Sequence, residues 1–231
     1  RGYPVKYPEN TLLSFQAARE LGFTHLELDV HLTRDGVPIV IHDPTVSRMT
    51  GQKGRISRMT LEELRRLRVA GSEPIPTLEE ALALVRGQMI VNVELKQSGR
   101  LCPGLEEAVA KTIAALDMSS EVIVTSFDHF SLVEFRRHMP ETALGPIVYG
   151  TSSDLFHWMR QMEARYLSIK YTYLTPSLIR ACKEEGIRLI AWTVNDRAAM
   201  RRIYAWDPSI LICTDELELW LAEFKSKTES R

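Results

Sequence analysis

From residue 89 onward, short apolar segments rich in β-branched residues alternate with segments of helical periodicity. Such strict alternation predicts a parallel sheet wrapped by helices. The predicted strands lie at 90–95, 122–127, 144–149, 166–169, 189–194 and 210–213, and the helices at 104–116, 129–138, 153–162, 175–185, 196–204 and 215–226. A strand at Glu27 brings the number of strands to seven, whereas a TIM barrel has eight. We therefore predict an α/β fold, a TIM (β/α)8 barrel whose first strand precedes Arg1.

Length and composition limit the classes to which the protein can belong. A chain of 231 residues with 45% hydrophobic content can bury one large core, which predicts a single domain over residues 1–231. The formal net charge of −1 gives no basic excess for binding nucleic acid. The three cysteines lack disulfide or zinc spacing, which favours a cytoplasmic protein with reduced thiols. No apolar run approaches the ~20 residues needed for stable membrane insertion.

One segment interrupts the barrel pattern after the second barrel strand. Residues 44–60 are rich in Thr, Ser, Gly and Arg and show no clear period, so we predict a surface excursion within an insertion at about 44–75. Thr60 and Thr77 are each followed, three residues later, by a glutamate. This spacing predicts two helices that begin with capping boxes.

The sequence ELDVHLTRDGVPIVIHD, which begins at Glu27, indicates a β-hairpin. Polar and apolar residues alternate in its first arm, so Glu27 and Asp29 point to the same face. Asp35-Gly36 is a dipeptide typical of a two-residue hairpin loop. A loop centred there would place Asp29 opposite His42. Two carboxylates and an imidazole would then share one small patch, which is costly to bury unless an ion or ligand binds there.

A third carboxylate is expected at the same place. The strand that contains Asn92, Glu94 and Lys96 also alternates, so these three residues share one face. In a TIM barrel the reactive groups lie at the carboxyl ends of strands, and Glu94 would converge there with Glu27 and Asp29. Oxygen ligands suit Mg²⁺ or Ca²⁺ better than zinc. A closed salt-bridge network is the alternative, but three acids against one lysine leave excess negative charge, which favours the metal.

The remaining candidates are histidines and aromatic residues. The predicted position of His42 opposite Asp29 favours general acid/base chemistry. His31 shares a strand face with Asp29 but is expected to lie in solvent beyond the barrel rim. Phe127 and Trp192 end predicted strands, where they could line the substrate site or belong to the core. We predict a substrate-binding role for both.

Several short motifs follow one another in a specific order along nearly the whole chain. They are Arg1-Gly2 with Pro8-Glu9-Asn10-Thr11, Glu27-x-Asp29, Thr33-Arg34-Asp35-Gly36 with His42-Asp43-Pro44, Ile75-Pro76-Thr77-Leu78, Asn92-Val93-Glu94-Leu95-Lys96, Ser126-Phe127, Trp192-Thr193-Val194-Asn195 and Thr214-Asp215. Together they resemble the glycerophosphodiester phosphodiesterase family. The first motif resembles the family's opening HRG…PENT sequence without its histidine.

The resemblance implies a metal-dependent hydrolysis of small glycerophosphodiesters to sn-glycerol 3-phosphate and an alcohol. It implies one divalent cation, Mg²⁺ or Ca²⁺, held by three carboxylates: Glu27, Asp29 and Glu94. Arg1 and Lys96 would bind the phosphate, with Arg1 also acting in catalysis. His42 would be one of two catalytic histidines, and the other would immediately precede Arg1.

Two alternative functions stay open at this point. Without the histidine before Arg1, the protein would be a catalytically impaired phosphate-binding barrel. A related phospholipase-D-like lipid phosphodiesterase would need an apolar rim for membrane docking. The excursion at 45–58 is polar and basic instead, which favours soluble diesters.

Overall fold

The computed structural model describes residues 1–99 and 101–228, with side chains as far as Phe224. The chain divides into two compact units, residues 1–144 and 145–231. The prediction of a single domain, like that of a strand before Arg1, stays a prediction. Within the described residues, no helix is both long enough and apolar enough to cross a membrane.

The first unit is built on β1 (His25–Leu32), the strand that carries Glu27 and Asp29. It pairs in parallel with β3 (Ile90–Leu95) and antiparallel with β2 (Pro38–Val40). The strand β4 (Val122–Ser126) pairs in parallel with β3, which gives the order β2-β1-β3-β4. The helices of this unit are α1 (Leu12–Glu20), α2 (Ser47–Thr50), α3 (Leu61–Arg65), α4 (Leu78–Val85), α5 (Leu105–Ala115) and α6 (His129–His138).

Two helices of this unit begin at the predicted capping residues. The hydroxyl of Thr60 accepts a hydrogen bond from the backbone N–H of Glu63 at 3.2 Å. The Glu63 carboxylate in turn accepts one from the backbone N–H of Thr60 at 2.8 Å. Thr77 and Glu80 repeat both bonds at the start of α4. These reciprocal bonds satisfy backbone donors that the first helical turn leaves without partners, and they confirm both capping boxes.

The hairpin that joins β1 to β2 has a three-residue loop, so the predicted two-residue loop is wrong. The backbone N–H of Thr33 donates to the carbonyl of Val37 at 3.1 Å, which leaves three residues between them. Gly36 has a φ of +80°, but Asp35 is not among the residues with positive φ. A two-residue type I′ loop needs positive φ at both central positions, whereas a three-residue loop needs it only at the last.

The longer loop shifts the hairpin register by one residue. Val30 pairs with Val40, and the backbone N–H of Ile41 donates to the carbonyl of Asp29 at 3.0 Å. His42 therefore follows the end of β2 and does not lie opposite Asp29, contrary to the prediction. A one-residue shift in register reverses the face to which a strand residue points. The hairpin pairing therefore does not locate the His42 side chain, and its own contacts have to be examined.

The predicted surface excursion contains a small core of its own. Val46, Ile56 and Leu64 are each no more than 1% exposed, and they pack with Ile39 and Ile41 at the end of the hairpin. Val46 and Ile56 lie within the excursion predicted at 44–60, and Leu64 lies in the short helix predicted after it. The apolar residues are too widely spaced to produce a period, because they come from short helices and turns and not from one long element.

From Ala143 to residue 228, the described chain forms four parallel strands with helices between them, almost all within the second unit. The strand order is β5-β6-β7-β8, and each neighbouring pair is parallel. The strands are β5 (Ala143–Val148), β6 (Tyr166–Lys170), β7 (Arg188–Trp192) and β8 (Leu211–Ile212), and the helices are α7 (Leu155–Gln161), α8 (Pro176–Glu184), α9 (Arg197–Trp206) and α10 (Leu217–Thr228). Strand residues such as Leu167 and Ala191 are buried against helix residues such as Met200 and Ile203. The alternation seen in the sequence is therefore confirmed, apart from shifts at the element ends.

Candidate active site

Three carboxylates meet on one face of the β1–β3 pair. The parallel register places Asp29 beside Glu94, and Glu27 beside Asn92. One carboxylate oxygen each from Glu27, Asp29 and Glu94 lies within 4.8 Å of the other two. Their side chains are 17%, 0% and 13% exposed. The structure thus brings together the three acidic residues that strand alternation had placed on matching faces.

Two basic side chains lie against these carboxylates. The Nε of Arg1 is 3.1 Å from Oδ2 of Asp29. The Nζ of Lys96 is 2.8 Å from Oε1 of Glu94 and 3.4 Å from Oδ1 of Asp29. Both basic residues predicted to bind phosphate are therefore at the acidic cluster. The amino group of Arg1 also lies 2.8 Å from Oε2 of Glu27. Counted over side chains alone, three carboxylates face two cations.

Asn10 is a site residue that sequence reasoning missed. In the sequence it stands only within the motif Pro8-Glu9-Asn10-Thr11. In the structure Thr11 caps α1, while the Nδ2 of Asn10 donates to Oδ2 of Asp29 at 2.9 Å. Asn10 is 3% exposed and has a φ of 57°, a backbone region that asparagine tolerates better than most side chains. The signal in the sequence for this backbone was the residue type, because asparagine tolerates positive φ.

The surroundings shift the pKa values of Asp29 and Glu94 in opposite directions. Burial opposes ionisation of Asp29, but Lys96 and Arg1 outweigh it and hold the pKa of Asp29 below its ordinary value. Burial and the neighbouring charge of Asp29 raise the pKa of Glu94 to about 7, although Lys96 acts in the opposite direction. Glu94 is therefore the carboxylate whose charge the protein compensates least.

A divalent cation fits this site better than a closed salt-bridge network does. Within the described residues, no group donates a hydrogen bond to the buried Oδ1 of Asp29. A buried carboxylate oxygen without such a bond is costly, and burial together with the charge of Asp29 disfavours the ionised form of Glu94. Carboxylate oxygens are hard ligands of the kind that Mg²⁺ and Ca²⁺ prefer.

His42 lies beside this cluster, at the start of the segment that follows β2. Its Nδ1 is 2.8 Å from Oδ1 of Asp43, and its side chain is 32% exposed. The charge of His42 is among those that lower the pKa of Asp29. A carboxylate can only accept a hydrogen bond, so Nδ1 carries the proton and Nε2 of the neutral ring keeps its lone pair. A half-buried imidazole with a free lone pair on one nitrogen can take up or deliver a proton.

His31 is buried, and the prediction that it lies in solvent is wrong. It is 5% exposed, and its Nε2 lies 3.0 Å from the backbone carbonyl of His42. Burial lowers the pKa of His31, an effect that the carbonyl contact opposes. The segment carrying His42 passes over the end of β1 and covers His31, which strand alternation alone could not reveal.

Arg1 is held by the close packing of Gly2 against the first turn of α1. The hydroxyl of Ser14 donates to the carbonyl of Arg1 at 3.2 Å and accepts from the backbone N–H of Tyr3 at 2.7 Å. Gly2 has a φ of +81°, and a Cβ there would lie 2.7 Å from the carbonyl carbon of Ser14. Only glycine combines this backbone angle with so close an approach to another backbone.

We expect Gly2→Ala to destabilise the protein more than Gly22→Ala. Gly22 also has positive φ, at +85°, but nothing lies within 4 Å of a Cβ added there. Both variants carry a backbone strain of roughly 1–2 kcal/mol, and the contact with Ser14 should add about 1–3 kcal/mol to the Gly2 variant. Thermal unfolding of both variants measures the difference. Equal losses of stability would contradict the close packing described here.

The two aromatic residues predicted to bind substrate lie in different units. Phe127 follows β4 in the first unit and is 41% exposed. Trp192 ends β7 in the second unit, where its ring meets that of Tyr149 edge-on at a centroid distance of 5.3 Å. A substrate-binding role for Phe127 and Trp192 stays a prediction.

Comparison with known proteins finds one family that matches nearly the whole chain. Residues 1–219 match the model of the glycerophosphoryl diester phosphodiesterase family. A glycerophosphodiester phosphodiesterase of Caldanaerobacter subterraneus is 37% identical over 212 residues, which cover 88% of this chain and 87% of that protein. A solved Oleispira antarctica phosphodiesterase, in complex with the product sn-glycerol-3-phosphate, is 28% identical with a TM-score of 0.85, covering 96% of this chain and 94% of that one. A solved glycerophosphodiester phosphodiesterase from Thermotoga maritima is 29% identical with a TM-score of 0.80, covering 96% and 95%. These matches confirm the predicted fold class, an α/β fold of the TIM-barrel type.

Proposed function

The chain belongs to the glycerophosphoryl diester phosphodiesterase family, and we propose that it hydrolyses soluble glycerophosphodiesters to sn-glycerol 3-phosphate and an alcohol with a bound divalent cation. It is accordingly a phosphoric diester hydrolase. The observation that carries the finer proposal is the meeting of Glu27, Asp29 and Glu94 beside Lys96 and Arg1. A cytoplasmic location stays a prediction from the cysteine pattern.

Charge balance supports a cation at the three carboxylates. A phosphodiester is an anion and, counted over side chains alone, the three carboxylates with Arg1 and Lys96 carry one net negative charge when ionised. A cation held by the three carboxylates would add positive charge where this anion has to bind. We assign the ligands as Glu27, Asp29 and Glu94, and the ion as Mg²⁺ or Ca²⁺. When bound, the cation supplies Lewis acidity toward the phosphoryl oxygens and lowers the pKa of an attacking hydroxyl or water.

Arg1 and Lys96 bind and orient the phosphate. The guanidinium of Arg1 offers several N–H donors in a planar fork that suits phosphate oxygens, while the Lys96 ammonium acts as a compact charge. Donors already in place stabilise the charge that develops on those oxygens in the transition state. Asn10 holds Asp29 in position at 2.9 Å and so keeps the carboxylate next to Arg1.

His42 exchanges the proton of the reaction. With Asp43 accepting from Nδ1–H, the lone pair of Nε2 takes the proton of the attacking oxygen, which belongs to water or to the substrate's own glycerol hydroxyl. In the second case the departing alcohol leaves behind a cyclic phosphate, and water then opens that ring to give sn-glycerol 3-phosphate. A proton must also reach the departing alcohol. The family resemblance implies a second histidine immediately before Arg1 for this step, and that assignment stays a prediction.

An assay of product identity tests the proposal. Incubation with glycerophosphocholine or glycerophosphoethanolamine and Mg²⁺ or Ca²⁺ should release sn-glycerol 3-phosphate, measured with a coupled glycerol-3-phosphate dehydrogenase. EDTA should remove the activity, and adding the cation back should restore it. Release of glycerol and phosphocholine instead would show cleavage of the other ester bond. Full activity in EDTA, or no release with either cation, would contradict the proposal.

A further inference from the structure

Arg48 makes a set of contacts that the reaction described above leaves unused. It lies in α2, within the insertion that follows the hairpin. Its Nε donates to Oδ2 of Asp43 at 2.7 Å, and its Nη2 donates to Oδ1 of Asp43 at 3.1 Å. The same Nη2 donates to Oε1 of Glu9 at 2.7 Å. One guanidinium thus binds two carboxylates from segments 34 residues apart in the sequence, residues 9 and 43.

The contact with Asp43 is bidentate, which fixes direction as well as charge. A guanidinium fork matches both oxygens of a carboxylate and holds it in one plane. Hydrogen bonds from Arg48 hold the pKa of Asp43 well below its usual range, so Asp43 stays a carboxylate that can only accept. Its Oδ1 faces Nδ1 of His42 at 2.8 Å. The orientation of the His42 imidazole therefore depends on the Asp43 carboxylate, which Arg48 holds in place through both oxygens.

Glu9 extends this chain of charges to Arg1. Its Oε1, which accepts from Arg48, also lies 3.7 Å from Nη1 of Arg1. The charged side chains contact one another in the order Arg1, Glu9, Arg48, Asp43 and His42. The two ends of this chain are the residues to which we assign phosphate binding and proton exchange.

This arrangement differs from an ordinary surface ion pair. Arg66 and Glu62 illustrate the ordinary kind: they lie one helical turn apart, with side chains 72% and 81% exposed. The side chains of Asp43 and Glu9 are only 24% and 16% exposed, although that of Arg48 is 47% exposed. Arg48 also joins two carboxylates at once, one of them 39 residues away in the sequence. An isolated exposed pair contributes little, whereas a network of several charges fixes geometry.

We propose that Arg48 is a positioning residue for the reaction: by holding Asp43 through both oxygens, it fixes His42 with Nδ1–H toward Asp43 and Nε2 toward the substrate. This inference rests on the proposed function of His42. Arg48 touches neither the substrate nor the reacting atoms and acts only through its two carboxylate partners.

Kinetics of Arg48 variants test the proposal against a matched control. Arg48→Gln should lower kcat by about 10–100-fold, as is typical when the support of a catalytic side chain is lost, with a smaller change in KM. Arg48→Lys should lose nearly as much, because an ammonium cannot bind both oxygens of Asp43 in the same plane. Added guanidinium, far below denaturing concentrations, should restore part of the activity of Arg48→Ala, while sodium should not. Arg66→Gln should behave like the unmodified protein.

A spectroscopic measurement separates positioning from simple structural support. The nitrogen shifts of the His42 ring report which nitrogen carries the proton in the neutral form. We expect the Nδ1–H form in the unmodified protein and a mixture of both tautomers in Arg48→Gln. If Arg48→Gln keeps both its tautomer and its kcat while His42→Ala is inactive, the role of Arg48 is wrong and the proposed function stands. An active His42→Ala would instead overturn the proposed function.

Discussion

Glu94→Gln is expected to lower kcat/KM at least about 10³-fold, because a bound cation contributes several kcal/mol of transition-state stabilisation and each 1.4 kcal/mol is a factor of ten. Glutamine keeps the shape of the side chain but removes the charge that the protein compensates least. The variant should bind the cation weakly, so raising the Mg²⁺ or Ca²⁺ concentration should recover little activity. Rates of sn-glycerol 3-phosphate release over a cation titration measure the effect.

The stability of this variant distinguishes loss of the cation site from misfolding. In EDTA at pH 8 the free energy of unfolding should be higher for Glu94→Gln than for the unmodified protein, since the variant neither buries a charge at this position nor places one beside Asp29. A gain of about 1 kcal/mol corresponds to roughly 2–4 °C in Tm. Added cation should raise the Tm of the unmodified protein and leave that of the variant nearly unchanged. Glu107→Gln, which alters an exposed pair with Lys111, is the control. Normal activity of Glu94→Gln in EDTA would contradict the cation role.

His42→Ala is expected to lower kcat by about 10²–10⁴-fold, because it removes a positioned acid/base group. The carboxylates of Glu27, Asp29 and Glu94 stay intact in this variant, so the cation should still raise its Tm as it does in the unmodified protein. Loss of activity with preserved cation binding distinguishes this variant from Glu94→Gln, which should lose both. Steady-state kinetics with saturating cation, together with thermal shifts, measure both properties.

A surface histidine provides the control for this result. His138 lies on α6 and faces Glu134 at 3.5 Å, with its side chain 32% exposed, as His42 is. His138→Ala should keep the activity of the unmodified protein. If His42→Ala retained more than a tenth of kcat, general acid/base chemistry at His42 would be ruled out.

Part of this site was predictable because it depends on periodicity along single strands. The alternation around Glu27 and Asp29, and again around Glu94 and Lys96, places side chains on a face whatever the partner strand is. The capping box at Thr60 is equally local, since its two bonds join residues three apart. Such features follow from backbone geometry within a few residues.

Other parts depend on contacts between distant segments, and the sequence carried no period for them. The hairpin register depended on the φ of one residue, Asp35, and a loop one residue longer moved His42 out of its predicted pairing. His31 is buried because the segment that follows β2 covers it. The contacts of Asn10 with Asp29 and of Arg48 with Glu9 join residues 19 and 39 positions apart.

The sequence by itself therefore determined which side chains share a strand face and where helices begin, because both depend on local backbone geometry. Only the tertiary structure decided the arrangement around those faces. It set the parallel register that puts Asp29 beside Glu94, the packing of Gly2 that holds Arg1, and the contacts of Arg48 that orient Asp43. These depend on the path of the folded backbone, which brings together groups that no short-range pattern connects.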